Sequence, residues 1–463
     1  MAETWDGLRR TAEHAAEYRR GVGERPVARP VDAAEAELRA AFGGPLPEEG
    51  AEPDAVIDKL IAAAEPGLVA SAGPRYFGFV VGGSLESATR ADILTSGWDQ
   101  MAFNFVSSPA AAVIEEVAGE WLKDALGLPR GASFGLGTGC QGANDVGLAA
   151  ARHRVLARAG WDVGARGLSG APQLRVVAGE ERHATIDRSL RLLGIGTDAL
   201  EPVRADANGA IDTGALAEAL ERGRDTPTIV CVQAGNVNTG ACDDLARACQ
   251  LAHERGAWVH VDGAFGLWAA ASPSTRHLVR GIEDADSWAV DGHKWLNVTY
   301  DAGFVFCADP EAHAASMSYS AAYLAGQAEG APRAPSDYVP ESSRRARGFA
   351  TWAALRELGR SGIGELVDRC CALARRFGDR LAAVEGVEIG NEIVLNQVLA
   401  AFGSDERTDR LIEAVQRDGT CWMGGTTWCG RRYMRIPVSS AATTEADVDR
   451  SVAAIERLLA GIP

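Results

Sequence analysis

Between residues 75 and 310 short apolar runs alternate with amphipathic segments, and this alternation limits the possible folds more than any other feature of the chain. The runs 174–178, 228–232, 257–261, 287–290 and 302–307 have the length and branched or aromatic content of buried strands. Between them, 143–159, 186–193 and 245–255 carry apolar residues at helical spacing. Strand and helix in alternation build βαβ units around a mostly parallel sheet, so an α/β fold is expected with its large domain over 76–311.

The flanks read differently. Residues 1–75 form an Ala/Glu/Arg-rich helical arm interrupted by Pro26, Pro30, Pro45, Pro47 and Pro53. From 312 to 345 the pattern dissolves into Ala, Gly, Ser and Pro, and a loop of that length in a compact protein serves as a lid or a linker. Helical patterns resume at 350–358 and 363–381. Short strands and a terminal helix at 445–460 follow, which gives a smaller C-terminal α+β domain over 346–463. A net charge of −17 argues against nucleic acid or an anionic membrane as partner. No stretch approaches the roughly 18 apolar residues of a membrane span. Acids in Met1–Arg10 argue against a signal peptide, so a cytoplasmic protein is expected. The nine cysteines form no C-x-x-C pair and read as free thiols rather than disulfides or a metal site.

Only three lysines occur, Lys59, Lys123 and Lys294, so chemistry that needs an amine has three side chains to draw on. Lys294 follows a buried run directly, flanked by His293 and Trp295. A lysine there is either a working amine or a stem lying along a turn. Asp262 ends the run 257–261, at the sheet edge where open α/β folds bind ligands. A carboxylate there suits the pyridine nitrogen of pyridoxal phosphate, whose protonated ring accepts electrons, or it caps the next turn. The glycine-rich stretch 135–144 precedes a helix and forms a phosphate cradle. It contains the spacing Gly137, Gly139, Gly142 of a dinucleotide site. However, 131–134 makes a poor strand and Asp162 lies in loop-like sequence, so the dinucleotide reading loses. His183, at a strand-to-helix junction, stacks on a planar cofactor or caps the helix.

Together these four segments resemble the group II pyridoxal-phosphate-dependent amino-acid decarboxylases. Asp291-Gly-His-Lys-Trp-Leu296 is similar to the family's lysine motif and His260-Val-Asp-Gly-Ala-Phe-Gly266 to its ring-nitrogen motif. The spacing from Asp262 to Lys294 also looks like theirs. The resemblance covers about residues 73 to 360, more loosely beyond. It implies the type I fold of aspartate aminotransferase, pyridoxal 5′-phosphate as cofactor, and decarboxylation of an L-amino acid to an amine. Lys294 would be the Schiff-base lysine, with a lowered amine pKa. Asp262 would hold the ring nitrogen and His183 would stack on the ring. Cys140 and Gln141 take the phosphate-binding positions, where the family commonly has smaller residues. Ala264 would pack under the ring, His293 would lie near the phosphate or the lysine, and Asn236 stands where many relatives have a cofactor-side Thr.

The resemblance also implies a mobile loop over 312–345 whose tyrosine returns a proton to the substrate carbon. Tyr338 is the candidate, with Tyr319 and Tyr323 as spares. That loop reaches a neighbouring subunit in the family, which implies a homodimer with the N-terminal arm in its interface. Phe79, Phe103 and Phe105 match segments lining the family's substrate pocket and favour an apolar or aromatic amino acid; Arg435 would instead suit an acidic one. Two other functions stay open: an aldehyde synthase or other carbon–carbon lyase on the same fold, and a non-catalytic binding protein.

Overall fold

The computed structural model describes residues 5–28, 31–319 and 332–462. The chain divides into two compact units, one of Met1–Gly83, Leu373–Gly390 and Val398–Pro463, the other of Ser84–Ala372 and Asn391–Gln397.

The larger unit is built on a seven-stranded sheet. Its order is Ser133–Gly137, Gly303–Cys307, Ser287–Asp291, Trp258–Asp262, Thr228–Gln233, Arg175–Gly179 and Leu200–Val203. Only Gly303–Cys307 runs against its neighbours, so the sheet is mostly parallel, as expected. Three of its central strands, Thr228–Gln233, Trp258–Asp262 and Ser287–Asp291, are buried at every position. This explains why they read as continuous apolar runs rather than as alternating ones. Helix Cys140–Arg158 lies against the sheet and buries Val146, Leu148, Val155 and Leu156. On one face, Leu148 and Leu156 share a core with Val176, Ile229 and Trp258.

Several details depart from the sequence expectation. Residues 131–134 look like a poor strand, yet Ser133–Gly137 pairs residue for residue with Cys307–Gly303. Its glycines are what hid it. A side chain at Gly135 would run into the carbonyl of Tyr338. The region expected as loop from 312 begins instead inside helix Pro310–Met317, which Asp309 caps by accepting from the Ala312 N–H with proline at the first turn. The two C-terminal helical patterns are met as expected: the span Gly348–Ala382 is two helices separated at Gly359, which adopts φ +61°. Residues up to Ala372 belong to the larger unit rather than to a C-terminal domain starting at 346.

The smaller unit holds a five-stranded sheet in which Tyr76–Phe77 pairs with Trp422–Met423, so the N-terminal residues belong to the C-terminal unit. Arg75, 4% exposed, ties it by donating to the carbonyls of Gly23 and Thr420 and to Asp447. Helices Asp6–Gly21 and Pro53–Ala64 bury no residue, and Trp5, Leu8, Val56 and Leu60 are exposed. Among the described residues no helix is long and apolar enough to cross a membrane. All nine cysteines are free.

Candidate active site

Lys294 is presented by a turn that the sequence specifies closely. Strand Ser287–Asp291 ends at Gly292, where a Cβ would press on the ring of Phe304 at 2.6 Å. Trp295 and Leu296, both essentially buried, pin the residues after the lysine. Asn297, in the left-handed region at φ +56°, closes the turn by donating its amide to the carbonyls of Trp295 and Lys294.

The lysine amine enters a cavity of about 250 Å³. Lys294, Asp262, His183, Cys140, Gln141, Ala264 and His293 line it, so seven of the residues singled out from the sequence come together. Lys294 Nζ lies 3.0 Å from Asp291 Oδ2. Burial alone would lower its pKa, but the Asp291 carboxylate and, further off, Asp262 outweigh burial and hold it above the ordinary lysine value. The chain's own groups therefore pull against the lowered amine expected beside a bound pyridinium.

Asp291 is the cavity residue that sequence reasoning passed over, although it opens the quoted lysine motif. Its other oxygen accepts the backbone N–H of Cys140, at 2.5 Å, and lies 3.4 Å from His293 Nε2. His293 Nδ1 accepts the Ala302 N–H, which leaves the proton on Nε2, and burial lowers its pKa. Thr185, Gln233, Gly235, Val237 and Phe265 also line the cavity. Gly235 and Val237 flank Asn236, Phe265 follows Ala264, and Thr185 lies two residues after His183.

Asp262 is 5% exposed and closes the floor. One oxygen accepts from the Cys140 thiol (3.4 Å) and the Ala264 N–H (3.3 Å), the other from the Thr185 hydroxyl (3.4 Å). Burial and the carboxylates of Asp262 and Asp291 push the Cys140 thiol well above its ordinary pKa, so it is a neutral donor. His183 caps helix Ala184–Leu192, its Nδ1 accepting from the Thr185 N–H. Gln141 donates to Asp145 and Ser189, while its buried Oε1 has no partner among the described residues.

His293 and Asp291 approach the backbone at Gly139 closely: a Cβ there would meet them at 3.1 and 3.3 Å. Gly303 in turn has to be glycine, because a Cβ there would strike the Gly139 backbone. A helix N-terminus, a buried carboxylate and an amine lining one cavity fit pyridoxal phosphate.

The remaining expected residues do not line this cavity. Asn236 is buried, but its side chain builds its own loop, accepting from the Asn238 and Thr239 N–H groups and donating to the Glu181 carbonyl. Tyr338 ends the turn Pro335–Tyr338. Its ring packs edge-on against His313 at 5.1 Å and lies 4.6 Å below the Arg333 guanidinium. His313, neutral because burial pushes it down to about 4, donates to the Tyr338 carbonyl and accepts from Ser133. Tyr319 bonds Ser342, and Tyr323 lies outside the described residues. Phe103 is buried and Phe105 partly exposed. In the smaller unit, Phe79 is 66% exposed against Trp422, and burial lowers Arg435 to about 10.

Residues 37–402 match the family model described as the pyridoxal-dependent decarboxylase conserved domain. The chain belongs to that family. Among characterised relatives, tryptophan decarboxylase 1 of Oryza sativa subsp. japonica is 28% identical over 95% of this chain and 90% of its own. A phenylacetaldehyde synthase of a Rosa hybrid cultivar is 27% identical over 83% of this chain and 80% of its own. The crystal structure of Oryza sativa TDC with PLP and tryptamine superposes with a TM-score of 0.92 at 24% identity, over 100% of this chain and 98% of that one. Mouse CSAD superposes at 0.87 with 21% identity, over 97% and 98%. The decarboxylase has the type I fold, its cofactor is pyridoxal phosphate, and it is a carboxy-lyase.

Proposed function

We propose that the decarboxylase removes the carboxylate of an aromatic L-amino acid to leave the amine, with Lys294, Asp262 and His183 as its working groups. The observation that carries this reading is that these three side chains line one cavity beside the N-terminus of helix Cys140–Arg158. When bound, the cofactor supplies an aldehyde carbon for an amine and a ring that accepts an electron pair. The chain's residues do the rest. Backbone N–H groups at the start of that helix hold the phosphate, with the unpartnered Gln141 Oε1 able to accept its remaining proton or a water. Asp262, screened from water by Cys140, Thr185 and Ala264, keeps a proton on the ring nitrogen. His183 packs on the ring. Asp291, 3.0 Å from Nζ, pairs with the Lys294 amine and fixes its position on the cavity wall.

The aromatic substrate is supported by relatives whose names specify tryptophan, tyrosine or DOPA. Measuring CO2 release from L-tryptophan, L-tyrosine, L-phenylalanine, L-DOPA and L-glutamate tests it; a preference for glutamate would overturn the assignment. A second reading, the aldehyde synthase, is favoured by one observation: the ring of Tyr338 is engaged with His313 and Arg333 and lines no part of this chain's cavity. Product analysis separates amine from aldehyde. We also propose a homodimer that covers the exposed N-terminal helices, to be checked by sedimentation.

A further inference from the structure

Beneath Asp262 lies a chain of buried polar groups that the proposed reaction does not use. Trp258, His260, Ser287 and Asn144 are each at most 1% exposed. Trp258 Nε1–H donates to Ser287 Oγ at 2.9 Å. Asn144 Oδ1 can only accept, so the proton of the neutral His260 ring sits on the nitrogen facing it, and the Ser287 proton points to the other nitrogen, Nδ1, at 2.8 Å. Nδ1 is therefore an acceptor and the imidazole proton sits on Nε2, which donates to Asn144 Oδ1 at 2.9 Å. This orients the Asn144 amide, whose Nδ2 donates into Thr185 Oγ1 at 3.3 Å. With a lone pair of that oxygen occupied from below, the Thr185 proton faces the cavity. Two acceptors wait there, His183 Nδ1 at 2.9 Å and Asp262 Oδ2 at 3.4 Å.

The directions agree along the chain: the Trp258 indole can only donate and the Asn144 amide oxygen can only accept. Burial also lowers His260 to about 4, so the ring stays neutral and the order does not reverse across the working pH range. The geometry reserves room for this ring: a Cβ on Gly147 of helix Cys140–Arg158 would press on it at 2.7 Å.

We propose that His260 is a positioning residue for the cofactor's ring: acting through Asn144, it turns the Thr185 hydroxyl toward Asp262 and His183. The proposal rests on the reading of those two residues as the groups that meet the ring. It assigns a task to a histidine that touches neither cofactor nor substrate.

The two nitrogens of His260 can be tested separately. His260→Gln places an amide N–H near Nε2 and keeps the donation to Asn144, whereas His260→Asn keeps a polar atom near Nδ1 and loses it. Each variant gives up one buried hydrogen bond, so their melting temperatures should fall alike. The readouts are the dissociation constant for pyridoxal phosphate, titrated into stripped full-length protein, and the visible band of the bound cofactor. His260→Asn should bind about tenfold more weakly with a shifted band, and His260→Gln should stay within about twofold of wild type. Thr185→Val should show the same loss, and the double variant His260→Asn/Thr185→Val should be no worse than Thr185→Val alone. Equal losses in the two His260 variants, or losses that multiply in the double variant, would overturn the relay and leave a core network only. Asp262→Ala separates the two layers of the argument. If it leaves band and affinity unchanged, Asp262 does not meet the ring and the proposal falls with it. If it loses both while His260→Asn stays like wild type, the relay alone is wrong.

Discussion

The cofactor cavity and the N-terminal helices break the usual partition of side chains in opposite directions. In the larger unit, Asp262, Asp291 and most of Lys294 are withdrawn from water, with His260 and Asn144 fully buried below them. In the smaller unit, helices Asp6–Gly21 and Pro53–Ala64 bury nothing, and Leu8, Val56 and Leu60 are about half exposed. The difference teaches what each region depends on. Buried charge is tolerated where counter-charges and donors come from the same chain, as Asp291 does for Lys294. The exposed apolar stripe of the N-terminal helices is what the proposed dimer would cover.

The largest expected effect breaks the cavity side. Lys294→Ala should lower decarboxylation on the order of a thousandfold or more, and borohydride should no longer fix the cofactor to the protein, read by intact mass. Retained covalent capture would move the working amine elsewhere.

A second test sharpens what buried charge means away from the cavity. Arg344 and Glu115 form an ion pair at 2.8 Å with both side chains 0% exposed. Arg344→Met strands a buried carboxylate and should cost about 3–5 kcal/mol in a urea titration, more than the double variant with Glu115→Met. A single-variant cost under about 1 kcal/mol would show that water reaches the pair.

On the apolar side, Leu60→Asp should weaken the proposed dimer by about 1.5–3 kcal/mol, seen as a raised dissociation constant in sedimentation, with little change in monomer stability. A wild type that sediments as a fully active monomer would end the comparison, because the exposed stripe would then need no partner.

The smallest effect serves as a surface control. His253 Nε2 meets Asp286 at 3.0 Å, and that hydrogen bond raises the histidine above its ordinary 6.5. The folded state thus binds the proton more tightly. The stabilisation is complete below about pH 6.5 and is lost as pH rises through the folded value. Both side chains are partly exposed, so His253→Gln should cost at most about 1 kcal/mol at about pH 5.5 and nothing measurable at about pH 9. A constant cost at both values would mean that packing, not charge, is lost.

Much of the cavity was legible because its residues lie in short stretches with one meaning each. Lys294 and Asp262 end strands whose apolar runs are plain in sequence, and a group at the end of a buried parallel strand has few places to go. The break at Gly359 was legible as a gap between two helical patterns. What stayed hidden depends on partners distant in sequence. Ser133–Gly137 is a strand because Gly303–Cys307 pairs with it, and Gly135 makes room for the Tyr338 backbone. Asn236 looked like a cofactor contact because nothing local says that its amide is already committed to three backbone groups. Asp291 was passed over since no strand-end pattern tells an ion-pairing acid from a capping one.

The scarcity of lysine has a practical side for the bench. Lys294 lies within the cavity, and Lys123 is buried with its amine held by the carbonyls of Arg130 and Ala132 and by Glu120. That leaves Lys59 as the one lysine in open solvent, on helix Pro53–Ala64 one position before Leu60. An amine-reactive label or short crosslinker will therefore mark a single side-chain address. A covalently joined pair of chains bridged at Lys59 would be a direct photograph of which surfaces meet.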